Sequence, residues 1–426
     1  MCRGLWLIRR SFLLALILLC GCTSYMAGNF QLSNKNYEEA IIHYREEISQ
    51  NPEHWQARGK LGFAYLKTGQ LEEAVNEFTK VLEQEPGDPH ATFYLGLAYL
   101  NMGEVDRTIA TWKNYSNKSK PLVEQEIKRQ LTLLEIAESI RLAKEALSKE
   151  KELQAKQPDS GTLAVFYFKD TSAGNQYRHL QKALAMMIIT DLSQIESLQV
   201  VERLRMQFLL AEMGLGQTGL VTKKTAPEVG KLLGAENLIV GTLESGSLSV
   251  KSTIASSSRQ DVVGVFTVTA EEQEFYILEK EIVFNILKVL GISLTPAEEE
   301  LVSKYHTKSL KAVIYFGMGL EALDEGKWEE AKNLFDKARE EDPEFLLAGD
   351  AAHACPDAAA PSISALSAVS TPGLASAMDG AVEAAAANEG AAEAGDTSTE
   401  GGQGGPSESS SSDDTGTETG SVDVSW

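Results

Sequence analysis

The pattern of hydrophobic and small residues along the chain has a long period. Gly28, Gly62 and Gly96 stand 34 residues apart, as do Ala40, Ala74 and Thr108, and Tyr44, Phe78 and Trp112. Tyr65 pairs with Tyr99 in the same register, and Pro52 and Pro86 close the first two units. Each position has a physical role. The glycine admits a close helix neighbour, the alanine sits at a tight helix crossing, the aromatic fills the gap to the next unit, and the proline stops the second helix. Residues 24–118 therefore predict about three helical hairpins, the third drifting, with Thr108 for alanine and no closing proline. From Pro121 to about Ala155 the chain is rich in Glu, Lys, Leu and Ala. Leu131, Leu134, Ile136, Ile140, Leu142 and Leu147 predict an amphipathic helix, or a capping helix plus a spacer, ending before Pro158.

Gly161 starts a different pattern. Short apolar runs at Leu163–Phe168, Leu198–Val201 and Asn237–Thr242 read as buried strands, and Ser247–Ile254 with Val262–Thr269 alternates like a hairpin. Helical stretches fall at Arg178–Ser193, Glu202–Met213, Ala226–Leu233 and Glu271–Leu290. The order β-α-β-α-α-β-β-β-α predicts a compact α/β domain with a mixed sheet. Gly319, Ala331, Phe335, Ala338 and Pro343 then repeat the hairpin template once, at an offset from Ala74 that is not a multiple of 34. Beyond Leu346 the composition shifts to Ala, Gly, Ser, Thr and acids, and residues 351–426 hold 12 acidic residues and no Lys or Arg. Such a segment buries too little apolar surface to offset its ordering entropy, so 347–426 is expected to be a disordered acidic tail, a spacer or interaction segment.

The 34-residue template resembles the tetratricopeptide repeat, whose arrays present a concave helical surface that binds peptides or proteins. On that resemblance Phe63, Lys67, Phe93 and Asn101 are the candidate partner-binding positions of the concave face. The stretch from Ala164 to Leu243 resembles the CsgG/HfaB family of curli- and holdfast-type assembly lipoproteins, and the related domain of the flagellar lipoprotein FlgO. The matching residues are the first strand, Asp191-Leu192-Ser193, Val201-Glu202-Arg203, Gly230-Lys231-Leu232-Leu233-Gly234-Ala235 and Val240-Gly241-Thr242. This resemblance implies a periplasmic assembly module, with homo-oligomerisation through the α/β domain as an open question. The expected architecture is thus multidomain, α plus α/β. A signal peptide (1–21) precedes tetratricopeptide repeats (22–120) and a long charged helix or linker (121–158). A CsgG-like domain (159–300), one further repeat (301–346) and the tail (347–426) complete it.

The signal peptide rests on Arg3, Arg9 and Arg10 ahead of the short apolar run Ser11–Leu19, which is too short for a comfortable membrane span. Leu19-Cys20-Gly21-Cys22 is similar to the lipobox of bacterial lipoproteins, and it makes Cys22 the candidate lipidation site. Acyl chains there would anchor the chain through buried methylenes, at about 0.8 kcal/mol each. Thr23, not Asp, follows Cys22, which favours the outer membrane, facing the periplasm. The 426 residues carry 39 Lys and Arg against 61 Asp and Glu, a net charge of −22. Loss of three arginines with the signal would take it to −25. That balance excludes a mainly phosphate-driven nucleic-acid binder, and four cysteines make no disulfide framework.

Catalytic chemistry is not legible. The six histidines are scattered, no Cys-x-x-Cys or nucleophile elbow occurs, and neither metal nor cofactor is expected. Gly214-Leu215-Gly216-Gln217-Thr218-Gly219 matches a dinucleotide fingerprint, but a helix precedes it where that site needs a strand, so it reads as a helix-to-helix turn. Glu202-Arg203 and Lys223, Lys224 and Lys231 read as structural or solvated charges. The expectation is a non-enzymatic, lipid-anchored scaffold or assembly factor for a secretion or surface structure. A CsgG-like secretion channel is the alternative, and a nucleotide-binding sensor or enzyme the second. Length weighs against the channel. Two membrane hairpins of ~9–11 residues per strand need roughly 40 residues, and only 28 separate Thr242 from Glu271.

Overall fold

A computed structural model describes residues 24–214, 225–244 and 248–381. The signal segment, Cys22, Leu215–Gly219, Lys223, Lys224 and residues 382–426 lie outside the described residues. In chain order the helices are α1 (24–33), α2 (Tyr37–Gln50), α3 (Trp55–Lys67), α4 (Leu71–Gln84), α5 (Pro89–Asn101), α6 (Val105–Lys113), α7 (Pro121–Ser148) and α8 (Glu150–Ala155). There follow β1 (Asp159–Val165), β2 (Lys169–Asp170), α9 (Leu180–Leu192), β3 (Gln199–Val200), α10 (Arg203–Glu212) and α11 (Ala226–Leu233). Then come β4 (Ala235–Glu244), β5 (Leu248–Ser256), β6 (Val262–Ala270), α12 (Phe275–Leu290) and α13 (Pro296–Val302). The last are α14 (Leu310–Asp324), α15 (Trp328–Glu341), α16 (Leu346–Ala354), α17 (Ile363–Ala368) and α18 (Thr371–Met378). These elements form two compact units, one of residues up to Leu131 together with Ser370 onward, the other from Thr132 to Val369.

The first unit is the predicted repeat array. The pairs α1/α2, α3/α4 and α5/α6 are helical hairpins, and α3 and α5 adjoin each other as the first helices of successive repeats. The glycine of each hairpin seats the aromatic sixteen residues on. A Cβ on Gly62 would come within 2.9 Å of the Phe78 ring, one on Gly28 within 2.6 Å of Tyr44, and one on Gly96 would collide with Trp112. The aromatic thus fills its own hairpin first and reaches the next repeat second, as where Phe78 stacks on Tyr94. Thr108 keeps the alanine position workable by donating its hydroxyl to the buried Gly96 carbonyl at 3.0 Å. The hairpin turns need a left-handed residue. Gly69 and Gly103 supply it, at φ of 76° and 79°, whereas the first repeat forces Lys35 to φ 61°.

The second unit is built on a mixed sheet ordered β3-β1-β4-β5-β6, with β2 also paired to β4. β1 is parallel to β3 and β4, while β4-β5 and β5-β6 are antiparallel. The apolar run Leu163–Phe168 is buried throughout, as a strand covered on both faces requires. α11 ends on Gly234 at φ 72°, and α12 packs on β6. β5 pairs with β4 from Asn237–Ser256 to Glu244–Ser249 and with β6 on its other side, so Leu248–Ser256 and Val262–Ala270 form part of the domain's own sheet, while Ser247 of the expected 247–269 hairpin lies outside the described residues.

Three expected boundaries change. The helix over 121–158 breaks at Lys149, and Leu133, Leu134, Ile136, Ser139, Ile140, Ala143 and Ala146 are buried from Thr132 on, so it is packed structure and not a spacer. The hairpin α14/α15, expected as a separate repeat over 301–346, is integral to the second unit, where α14 lies against α9. The first part of the segment expected as a tail from residue 347 is helical, as α16, α17 and α18. α16 packs on α15 with Ala348 and Ala352 buried, and the buried Cys355 thiol donates to the Trp328 carbonyl at 3.3 Å. Alanine has the best helix propensity and lets helices approach closely, so a segment poor in large apolar residues still packs.

Candidate functional site

The first helices α3 and α5 carry the face on which the sequence placed Phe63, Lys67, Phe93 and Asn101. Phe63 is buried between Tyr37 and Tyr94, with ring centroids 6.4 and 4.9 Å away. The Lys67 ammonium lies 4.8 Å above the Phe63 ring and pairs with the Asp379 carboxylate just past α18. α18 rests on α5, with Leu374, Ala375 and Met378 buried and Ser376 and Ala377 exposed. Burial and the charge of Asp379 both raise the pKa of Tyr37, which places Tyr37 beside the same carboxylate. Phe93 does not belong to this face. It is fully buried and stacks on Trp112 at 5.3 Å, as core. Asn101 turns its amide back to the Leu97 carbonyl of its own helix at 2.8 Å. α18 thus lies on α5, and Asp379 just beyond it reaches Lys67 and Tyr37 beside the Phe63 ring. Sequence reasoning missed Tyr37 and Asp379. The helix signal was present in Ser370-Thr371-Pro372, a cap with a proline in the first turn, and Ser370 does accept from the Gly373 amide.

The same template position recurs in the second unit. Lys67, Asn101 and Asp324 each stand five residues after their hairpin glycine. Asp324 is buried and receives Arg203 at 2.7 Å and Lys182 at 2.6 Å. Burial opposes the Arg203 charge, but Asp324 beside it holds the guanidinium protonated, and Tyr167 shares the cluster at 3.4 Å. Arg203 is thus structural, in line with its sequence reading. Gly317 on α14 completes the grip, because a Cβ there would collide with the His179 carbonyl at the start of α9.

A buried ionic cluster ties α9, α12 and the segment after α13. Lys280 donates to Asp191 at 2.5 Å and lies 3.3 Å from Glu279, while His306 Nε2 sits 2.9 Å from Asp191. Burial first, and the Asp191 carboxylate second, push the Glu279 pKa well up. Asp191, Glu279 and His306 have the donor types and closeness of a cation site, but Lys280 already supplies the positive charge at its centre. The sequence signal was the charged triplet Glu279-Lys280-Glu281 inside the mainly apolar helix Phe275–Leu290. An open cleft of about 320 Å³ in the same unit is lined by Lys149, Lys156, Arg205 and Lys231 together with Glu145, Glu152 and Asp159. Lys149 pairs with Glu145, and Lys231 donates to the Gln154 carbonyl, so these cations serve the local structure. Of the glycine-rich run only Gly214 is described; at φ 72° it ends α10.

Helical hairpins on a glycine–aromatic template, beside a mixed α/β sheet, define the class. The tetratricopeptide-repeat profile matches residues 31–91, and that of the curli production assembly/transport component CsgG matches residues 146–277. Residues 31–91 are thus similar to tetratricopeptide repeats and residues 146–277 to the CsgG family. No curated protein matches it. Among solved structures, the LpoB C-terminal domain from Salmonella enterica is 12% identical, with a TM-score of 0.23, covering 28% of this chain and 90% of that one. Yeast Tom70 is 15% identical (TM-score 0.24, 77% and 63% covered). A tetratricopeptide repeat protein from Parabacteroides merdae is 12% identical (TM-score 0.25, 79% and 98% covered). The repeats point to protein partners and the CsgG match to the cell envelope. Among the described residues no helix is long and apolar enough to cross a membrane.

Proposed function

We propose that this protein is a lipid-anchored scaffold of the outer membrane, facing the periplasm, that docks components of a secretion or surface-assembly machine on its repeat face. On this reading Cys22 carries the anchor, the CsgG-like domain supplies contact or self-association, and the chain is not an enzyme. The observation that carries the reading is that the repeat array holds a helix, α18, which rests on α5 with its apolar side buried and has its following acid paired with Lys67 beside Phe63. The β5-β6 hairpin supports a scaffold over a channel, because β5 is committed along its length to β4, and its Leu248, Val250 and Ile254 are buried in the domain.

The test follows wild type and Cys22→Ala in cells fed a palmitate analogue, with membrane fractionation and capture of bound envelope proteins. Label and outer-membrane sedimentation that depend on Cys22, with recovery of components of one assembly machine that is lost in Lys67→Glu, are the expected results. Unlabelled, soluble wild type would remove the anchor. Stable detergent-resistant rings that conduct in planar bilayers would replace the scaffold by the channel.

A further inference from the structure

The repeat face is filled by the chain itself. We infer that α18 is an intramolecular plug, and that the external partner is a short α-helix of the same chemistry that enters only when α18 leaves. This rests on the reading of the repeat face as the partner site and adds its regulation and its ligand class.

Three observations carry it. First, α18 is built as a detachable helical peptide. Ser370 caps its start, Pro372 occupies the first turn, and Gly380 follows it in a left-handed conformation at φ 88°. Its buried residues, Leu374, Ala375 and Met378, form one stripe at i, i+1 and i+4, with Asp379 directly after. Second, its hold is slight: eight residues, three buried side chains and one partly exposed ion pair to Lys67. An isolated helix of that length is marginal in water, so α18 is ordered by the groove and can be displaced. Third, the same template in the second unit also receives a helix. α14 takes α9 across its face, and Asp324 at the Lys67 position grips it through Lys182. There the contact is locked by buried charge and by Gly317 on a backbone carbonyl. In the array neither lock is present on α18, and the contact is reversible.

The ligand class follows from the occupant. The groove selects a helix with leucine and methionine one turn apart, small residues between, and an acid at its C-terminal end to meet Lys67. A tethered occupant competes at an effective concentration in the millimolar range. An external helix of equal intrinsic affinity therefore binds the closed protein weakly, in proportion to the fraction open.

The experiment uses the full chain. A photo-crosslinking phenylalanine analogue replaces Tyr37, and a labelled peptide of residues 368–382 serves as the external helix. Wild type is expected to crosslink within one chain to the 370–381 segment and to bind the added peptide poorly. Leu374→Asp with Met378→Asp is expected to lose that crosslink and to bind the peptide about tenfold more tightly or better. Adding Lys67→Glu should reverse the gain. Equal peptide binding by wild type and the double variant overturns the plug, as does a crosslink that joins two chains. The same double variant is then used to capture the envelope partner. If capture still depends on Lys67 but does not rise in the double variant, the plug fails while the docking face stands. If capture never depended on Lys67, the docking face itself fails.

Discussion

The hairpins α3/α4 and α14/α15 are one template used in two ways. Inside, they match: Gly62 seats Phe78 and Gly319 seats Phe335, with Ala74 and Ala331 both buried at the crossing. Outside, they differ. α3 adjoins α5 of the next repeat and leaves Lys67 to meet an acid on a short helix, whereas α14 spends its face on α9 and buries Asp324 against Arg203 and Lys182. The template therefore specifies a hairpin, and a few residues outside it decide whether its face becomes a permanent joint or a docking surface.

The largest break in that comparison is Asp324→Ala. It leaves Arg203 buried without its carboxylate and is expected to destabilise the second unit by about 3–5 kcal/mol. Hydrogen exchange read unit by unit should show the loss there and leave α3–α6 protected. Phe93→Ala should cost the array about 3–5 kcal/mol through its stack on Trp112. Asn101→Ala should change neither stability nor peptide binding measurably, because its amide serves its own helix. Equal and mild effects of both would restore Phe93 and Asn101 to the docking face.

Acidity separates the units next. Burial raises Asp88 to about 6 and lowers His90 to about 4. Asp88, raised in the fold, stabilises fully below its unfolded value near 4 and loses that contribution as pH rises to 6. His90, lowered in the fold, stabilises above its unfolded value near 6.5 and loses that as pH falls to 4. The two oppose, so the array's urea midpoint should stay nearly flat over this window. Glu279 is raised in the fold, so its own contribution to the second unit fades as pH climbs above the unfolded carboxylate range. Glu279→Gln should flatten that slope, and an unchanged slope would locate it elsewhere. A smaller gain is expected of Lys35→Gly, which relieves a left-handed lysine and should raise the array's stability by about 1 kcal/mol.

Much of this was legible because it is local. The glycine–alanine–aromatic spacing announces each hairpin, the apolar runs announce the buried strands, and Ala226–Leu233 with Gly234 marks its helix to the residue. Phe93 was misplaced because α5 is apolar on nearly every side, which leaves no stripe to show which face is inside. The helices after 346 were hidden by alanine, which looks like low complexity in composition and packs well in a helix. The Asp324–Arg203 joint joins residues 121 apart, and no periodicity reports a pairing of that range. Glu279-Lys280 stands with Glu281 in a mainly apolar helix, but its partners Asp191 and His306 are far off in sequence.

The Cys355 thiol, tucked against the Trp328 carbonyl at the end of α16, turns a static contact into a clock. A thiol reagent reaches it only in molecules whose α16 has swung away, so in the regime where reclosing outpaces labelling, the labelling rate measures that opening free energy directly. Compared between wild type and Asp324→Ala, that rate would tell whether the joint at the end of α14 is felt across the adjoining turn, at the start of α15.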